Sequence, residues 1–131
     1  MDKADSFIAR FQITEWNETE LPGVDGAWAG GASMQKSFTE GITGSSAGLF
    51  VSSGEEEGSR AYVAVEQITG TLPDGRSGSF TVQHGGLESK PESWFGYIVP
   101  GTGTDDLTSI AGTAVISHDE TGAFFTFRLE P

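Results

Sequence analysis

Glu66 and His84 are the residues with the clearest capacity for chemistry, because a carboxylate and an imidazole facing one cavity can act as general base and acid. They are the candidate catalytic pair. Tyr62, Phe80, Val82 and Trp94 join them as a candidate ligand-binding lining, an apolar surface interrupted by a few convergent polar groups. Trp94 shares its strand face with Gly96 and Ile98, whose small neighbour leaves room beside the indole. His118 precedes Asp119 at a turn and reads as a surface histidine near a rim.

Other chemistries lack their residues. The chain has no cysteine, which removes disulfides, thiolate catalysis and cysteine-held zinc together. Its two histidines show neither His-x-His nor HExxH spacing, so no metal is expected. No G-x-S-x-G frames a nucleophilic serine. Gly101-Thr102-Gly103-Thr104 is a poor phosphate loop, since no Lys follows and Asp105-Asp106 would repel the anion. No cofactor is expected.

Positioning Glu66 and His84 falls to strands. In Phe7 to Ile13, Phe7, Ala9, Phe11 and Ile13 share one face with Arg10 and Gln12 opposite, a period of two. Similar stretches follow at Met34–Phe38, Ile42–Val51, Tyr62–Leu72, Arg76–His84, Trp94–Val99, Gly112–His118 and Ala123–Glu130. Gly44, Ser46 and Gly48 put three small residues on one face, as close approach or strong bending requires. Short turns such as Pro73-Asp74-Gly75 join antiparallel neighbours. The reading is one all-β domain over 1–131, a closed antiparallel barrel of about eight strands with an open sandwich as runner-up. Residues 17–31 and 100–111 form two long loops, and Glu55-Glu56-Glu57 a solvated hairpin tip.

Pairing arithmetic decides which face is enclosed. A three-residue loop at Pro73-Asp74-Gly75 sets Leu72 against Arg76, Ile68 against Phe80, Glu66 against Val82 and Ala64 against His84. One face then carries Tyr62, Ala64, Glu66, Ile68, Phe80, Val82 and His84; the other is polar or β-branched. A two-residue turn would mix the two faces, a slip that a buried face penalises. Glu66 therefore points inward with His84 its diagonal neighbour, roughly 7–8 Å away between backbones. In a dry interior its carboxyl should be pushed upward. The same arithmetic at the last hairpin pairs His118 with Ala123, Ile116 with Phe125 and Ala114 with Phe127.

Composition limits the partners. The 131 residues include nine Phe and three Trp, enough bulk for one core, while 19 Gly and five Pro oppose long helices. Net charge is −12, and the seven Lys and Arg are scattered, so neither nucleic acid nor an anionic membrane is an expected partner. The opening Met1 to Ser6 lacks a basic region before an apolar run, and no apolar stretch approaches a spanning helix. A soluble, cytoplasmic protein is the expectation.

Three segments carry a family likeness: Val65-Glu66-Gln67-Ile68-Thr69-Gly70; Gly75-Arg76-Ser77-Gly78-Ser79-Phe80-Thr81-Val82-Gln83-His84; and Val99-Pro100-Gly101-Thr102-Gly103-Thr104 with Leu107 and Gly112. In this order they resemble the bacterial domain-of-unknown-function family 3224, and the likeness covers nearly the whole chain. The resemblance implies a barrel like that of allene oxide cyclase, a calycin-like fold. That plant enzyme holds an unsaturated fatty-acid epoxide in an apolar barrel and steers cyclisation by shape. Its catalytic residues find no counterparts here, so the likeness implies fold and assigns no reaction.

Three functions suit such a barrel. The first is binding of a small, mainly apolar molecule inside. The second is an isomerase or cyclase-like enzyme using Glu66 as acid or base. The third is self-association, a dimer first, through Val63, Val65, Phe95, Tyr97 and Val99 on the outer face.

Overall fold

The period-two pattern is realised as eight strands: β1 (Ser6–Thr19), β2 (Ala29–Glu40), β3 (Thr43–Ser53), β4 (Ala61–Thr71), β5 (Ser77–Leu87), β6 (Lys90–Ile98), β7 (Gly112–Asp119) and β8 (Gly122–Leu129). The computed structural model describes residues 6–131; Met1 to Asp5, most of the stretch read for a leader, lie outside the described residues. Each strand runs antiparallel to the next, and β8 pairs back onto β1, so the sheet closes into a barrel. The sandwich alternative is excluded.

Register follows the hydrophobic pattern. Ile68 faces Phe80, Glu66 faces Val82 and Ala64 faces His84. The Leu72 amide donates to the Arg76 carbonyl and the Gly75 amide to the Leu72 carbonyl, closing a three-residue loop. Gly75 takes a φ of +92°, the left-handed position that such a loop gives to glycine. The last hairpin pairs His118 with Ala123 and Ile116 with Phe125, as expected.

Two strands run longer than their pattern suggests. β1 continues to Thr19 and β2 begins at Ala29, so the expected loop over 17–31 shrinks to residues 20–28. The cause lies in β1, whose pairing with β2 shifts between Arg10 and Phe11 and again between Ile13 and Glu15. A bulge resets which residues face inward, and the alternation then looks broken although the strand goes on.

The two ends of the barrel differ. At one, Ile42, Ile68, Leu72, Phe80, Val82, Phe127 and Leu129 belong to a continuous core. A 3-10 turn at Asp105–Leu107 stoppers that end, adding the buried Leu107 and Ile110. Residues 100–111 are thus a built cap. β6 pairs with β5 only over Val82–Leu87, which leaves the first half of β5 without a strand on that side. The cap replaces that strand. Thr102 Oγ1, Thr104 Oγ1 and Asp106 Oδ2 accept hydrogen bonds from the amides of Thr81, Ser79 and Ser77, at 3.0, 2.9 and 3.0 Å. Alternate side chains meet alternate amides, so the edge is satisfied without a sheet ladder. The opposite end carries no such cap.

Candidate functional site

β2 to β5 bring four polar side chains into the middle of the barrel. Lys36 stands opposite Ser46, and Ser46 opposite Ile68, two pairs along from Gly48 and Glu66 and on the same face. Gly48 is required here, because a Cβ at that position would come within 2.6 Å of the Glu66 Cβ. Glu66 itself is 1% exposed. Its Oε1 accepts from Ser46 Oγ at 2.8 Å, and its Oε2 accepts from Lys36 Nζ at 2.8 Å and His84 Nε2 at 2.6 Å. The diagonal placement of Glu66 and His84 therefore becomes direct contact.

The expected upward push on Glu66 is overturned. Burial does press its carboxyl up, but the His84 hydrogen bond and the positive charge of Lys36 outweigh that and hold it at about 2. An anion is preferred here because the enclosure contains its own cation. Burial in turn lowers Lys36, against the upward pull of Glu66. The ammonium also lies over the Phe11 and Phe125 rings, 4.1 and 5.0 Å from their centroids, so π faces take the place of water.

The chain of contacts continues toward solvent through Tyr62, whose hydroxyl lies 2.9 Å from His84 Nδ1. An ionised Glu66 has no proton to give, so His84 donates through Nε2–H. In a neutral imidazole, with Lys36 already balancing the Glu66 charge, that leaves Nδ1 as the acceptor for the Tyr62 O–H. Burial, then the Glu66 charge, raise the Tyr62 phenol to about 12 and keep its proton on the oxygen.

Above this floor opens a cavity of about 510 Å³. Lys36, Tyr62 and His84 reach it from below, while Trp16, Phe50, Trp94, His118 and Ile116 are among its walls. The Phe50 and Tyr62 rings stack at 5.2 Å and 13°, with Trp16 edge-on to Phe50; Trp94 and His118 pair edge-to-face. Trp94 Nε1 donates to the Leu87 carbonyl at 2.7 Å, which fixes the indole. Arg60, Glu18 and Glu88 also border the cavity.

Of the residues singled out from sequence, Tyr62, His84 and Trp94 line this cavity. Glu66 lies beneath it, its two oxygens already engaged, and Phe80 and Val82 sit in the packed core. Sequence reasoning missed Lys36, Ser46, Phe50 and Trp16 as members. Three of them left a signal. Lys36 alternates with Met34 and Phe38, so it shares their inward face; Ser46 and Phe50 share the face of Gly44 and Gly48. Trp16 left none, because the β1 bulge separates it from the parity of Phe11 and Ile13. Among the described residues, no three His, Asp or Glu side chains gather as metal ligands would, and no helix is long and apolar enough to cross a membrane.

A family model described as "Protein of unknown function (DUF3224)" matches residues 7–130. A crystal structure of a DUF3224 protein of unknown function from Shewanella oneidensis MR-1 is similar to this chain at 25% identity. The match covers 98% of this chain and 99% of that one, with a TM-score of 0.82. No curated protein matches.

Proposed function

This chain belongs to the DUF3224 family, and from that premise we propose that its barrel binds a small, mainly apolar molecule in the cavity at the open end. One observation carries the reading: an aromatic cavity of about 510 Å³ ends on a polar floor whose groups are already fixed by one another. Drug-sized ligands occupy sites of roughly 300–1,000 Å³. An allene oxide cyclase-like, calycin-like barrel in a cytoplasmic setting belongs to the same reading. Native mass spectrometry of protein from its own host is the test. An added mass that disappears on gentle activation is expected. A bare chain, together with a crystal structure in which side chains fill the cavity, would remove the proposal.

The acid–base alternative changes its actor. Glu66 is engaged by three donors and lies below the cavity, so it serves as an orienting group for His84 rather than as the acid or base. A second reading, association with another copy of this chain, rests on the outer face. Val51, Val63, Gly85 and Phe95 form one cross-strand row, and Leu49, Val65, Gln83 and Tyr97 form the next. Leu49, Val63, Phe95 and Tyr97 are all exposed. Light scattering that finds only monomer at micromolar concentration would dismiss this reading.

A further inference from the structure

Among the hydrogen bonds of the cavity floor, the Tyr62 hydroxyl keeps an open acceptor where the floor meets the cavity. Glu66 spends Oε1 on Ser46 and Oε2 on Lys36 and His84. His84 spends Nε2 on Glu66 and Nδ1 on Tyr62. One Lys36 N–H goes to Glu66, and the ammonium otherwise lies against the Phe11 and Phe125 rings. With the imidazole neutral, Tyr62 gives its only proton to His84, so its oxygen retains lone pairs and no hydrogen. The floor therefore shows a ligand an acceptor at Tyr62 Oη, beside the stacked Phe50 ring.

Resting on the ligand-binding reading above, we propose that the ligand is a flat, neutral apolar molecule bearing a hydroxyl, which donates to Tyr62 Oη. Flatness follows from the stacked Phe50 and Tyr62 rings, which offer a planar surface beside that oxygen. Neutrality follows from the floor, where Lys36 is already matched by Glu66, and from the walls, where Glu18 and Glu88 outnumber Arg60 and disfavour an anion. The chain from Glu66 through His84 strengthens the acceptor. Each hydrogen bond polarises the next and places electron density on the Tyr62 oxygen. A ligand that offers only an acceptor would meet lone pair against lone pair.

Three probes separate the outcomes by fluorescence titration of the full chain at neutral pH: 2-naphthol, its methyl ether 2-methoxynaphthalene, and 2-naphthoate. 2-Naphthol should bind about tenfold more tightly than the ether, the worth of one buried hydrogen bond. 2-Naphthoate should bind most weakly. In Tyr62→Phe, which keeps the ring, the preference for naphthol should fall to about twofold while ether binding persists. Ether or naphthoate binding as tightly as naphthol, or a naphthol preference untouched by Tyr62→Phe, would overturn the hydroxyl assignment and leave the apolar cavity standing. If no probe binds to protein whose thermal melt is intact, the cavity reading falls as well.

Discussion

The two ends of this barrel solve the problem of an open rim in opposite ways. At the capped end, shape does the work: Leu107 and Ile110 drop into an apolar core, and three side-chain acceptors satisfy the amides of β5. At the other end nothing is inserted, and the interior is divided from solvent by a four-residue polar floor of Lys36, Ser46, Glu66 and His84. An apolar stopper can be exchanged for another of similar volume at little cost. A floor of matched charges cannot lose one member cheaply, because the survivor stays buried and unpaired. The difference teaches where this molecule keeps its stability and where it keeps its specificity.

Breaking the floor should give the largest effect. Glu66→Gln leaves the Lys36 ammonium enclosed without an anion and should cost about 3–5 kcal/mol in urea unfolding. The double change Lys36→Met with Glu66→Leu should recover most of that loss, because an apolar pair needs no compensating charge. A double variant no more stable than Glu66→Gln would mean that the two charges are not coupled.

At the capped end, Leu107→Ala should cost about 3 kcal/mol through lost burial and a cavity, with naphthalene affinity unchanged. Trp16→Ala, on the half-exposed rim of the open end, should do the converse. Its urea midpoint should move little while naphthalene affinity falls severalfold. If both variants lost affinity alike, the two ends would not be independent.

Acid sharpens the contrast further. Glu66 is held at about 2, below its ordinary value near 4.5, so the unfolded chain binds more protons between those two pH values. Stability from this group is fully present above about pH 4.5 and lost as pH falls toward 2. Wild type should therefore lose about 3 kcal/mol across that window beyond what Glu66→Gln loses, measured as the difference in urea midpoints at each pH. Parallel curves for the two proteins would contradict the floor described here. The smallest effect belongs to Arg10, which bonds Asp119 at 3.0 Å and Glu40 at 3.3 Å on the surface. Arg10→Ala should move the urea midpoint only slightly, since both carboxylate partners are exposed and stay hydrated without the largely covered guanidinium.

Much of the fold was legible because strand faces alternate strictly and turn chemistry sets register. The loop at Pro73-Asp74-Gly75 alone placed Glu66 and His84 on one inward face. The likeness segments are also explained by the fold. Gly75 to Phe80 and Val99 to Thr104 meet where Thr102 and Thr104 cap β5, so this pair of segments specifies a closed barrel end rather than a reaction. What stayed hidden was the partner of the carboxylate. Lys36 counts in the sequence only as one of seven scattered cations, although Met34 and Phe38 on either side put it inside. A lone inward charge looks like a liability until its counterion is found two strands earlier in the chain. That omission reversed the expected direction of the Glu66 titration. Trp16 was illegible for another reason, since a bulge changes parity without a residue type to announce it.

The three tryptophans offer the most direct measurement. Trp16 and Trp94 line the open-end cavity, whereas Trp28 is exposed and outside it. In a nitrogen–proton spectrum of the labelled chain titrated with 2-naphthol, the Trp16 and Trp94 indole peaks should move together and saturate while the Trp28 peak stays in place. Stationary Trp16 and Trp94 peaks, or movement confined to Trp28, would show that the open end is not where this protein takes its ligand.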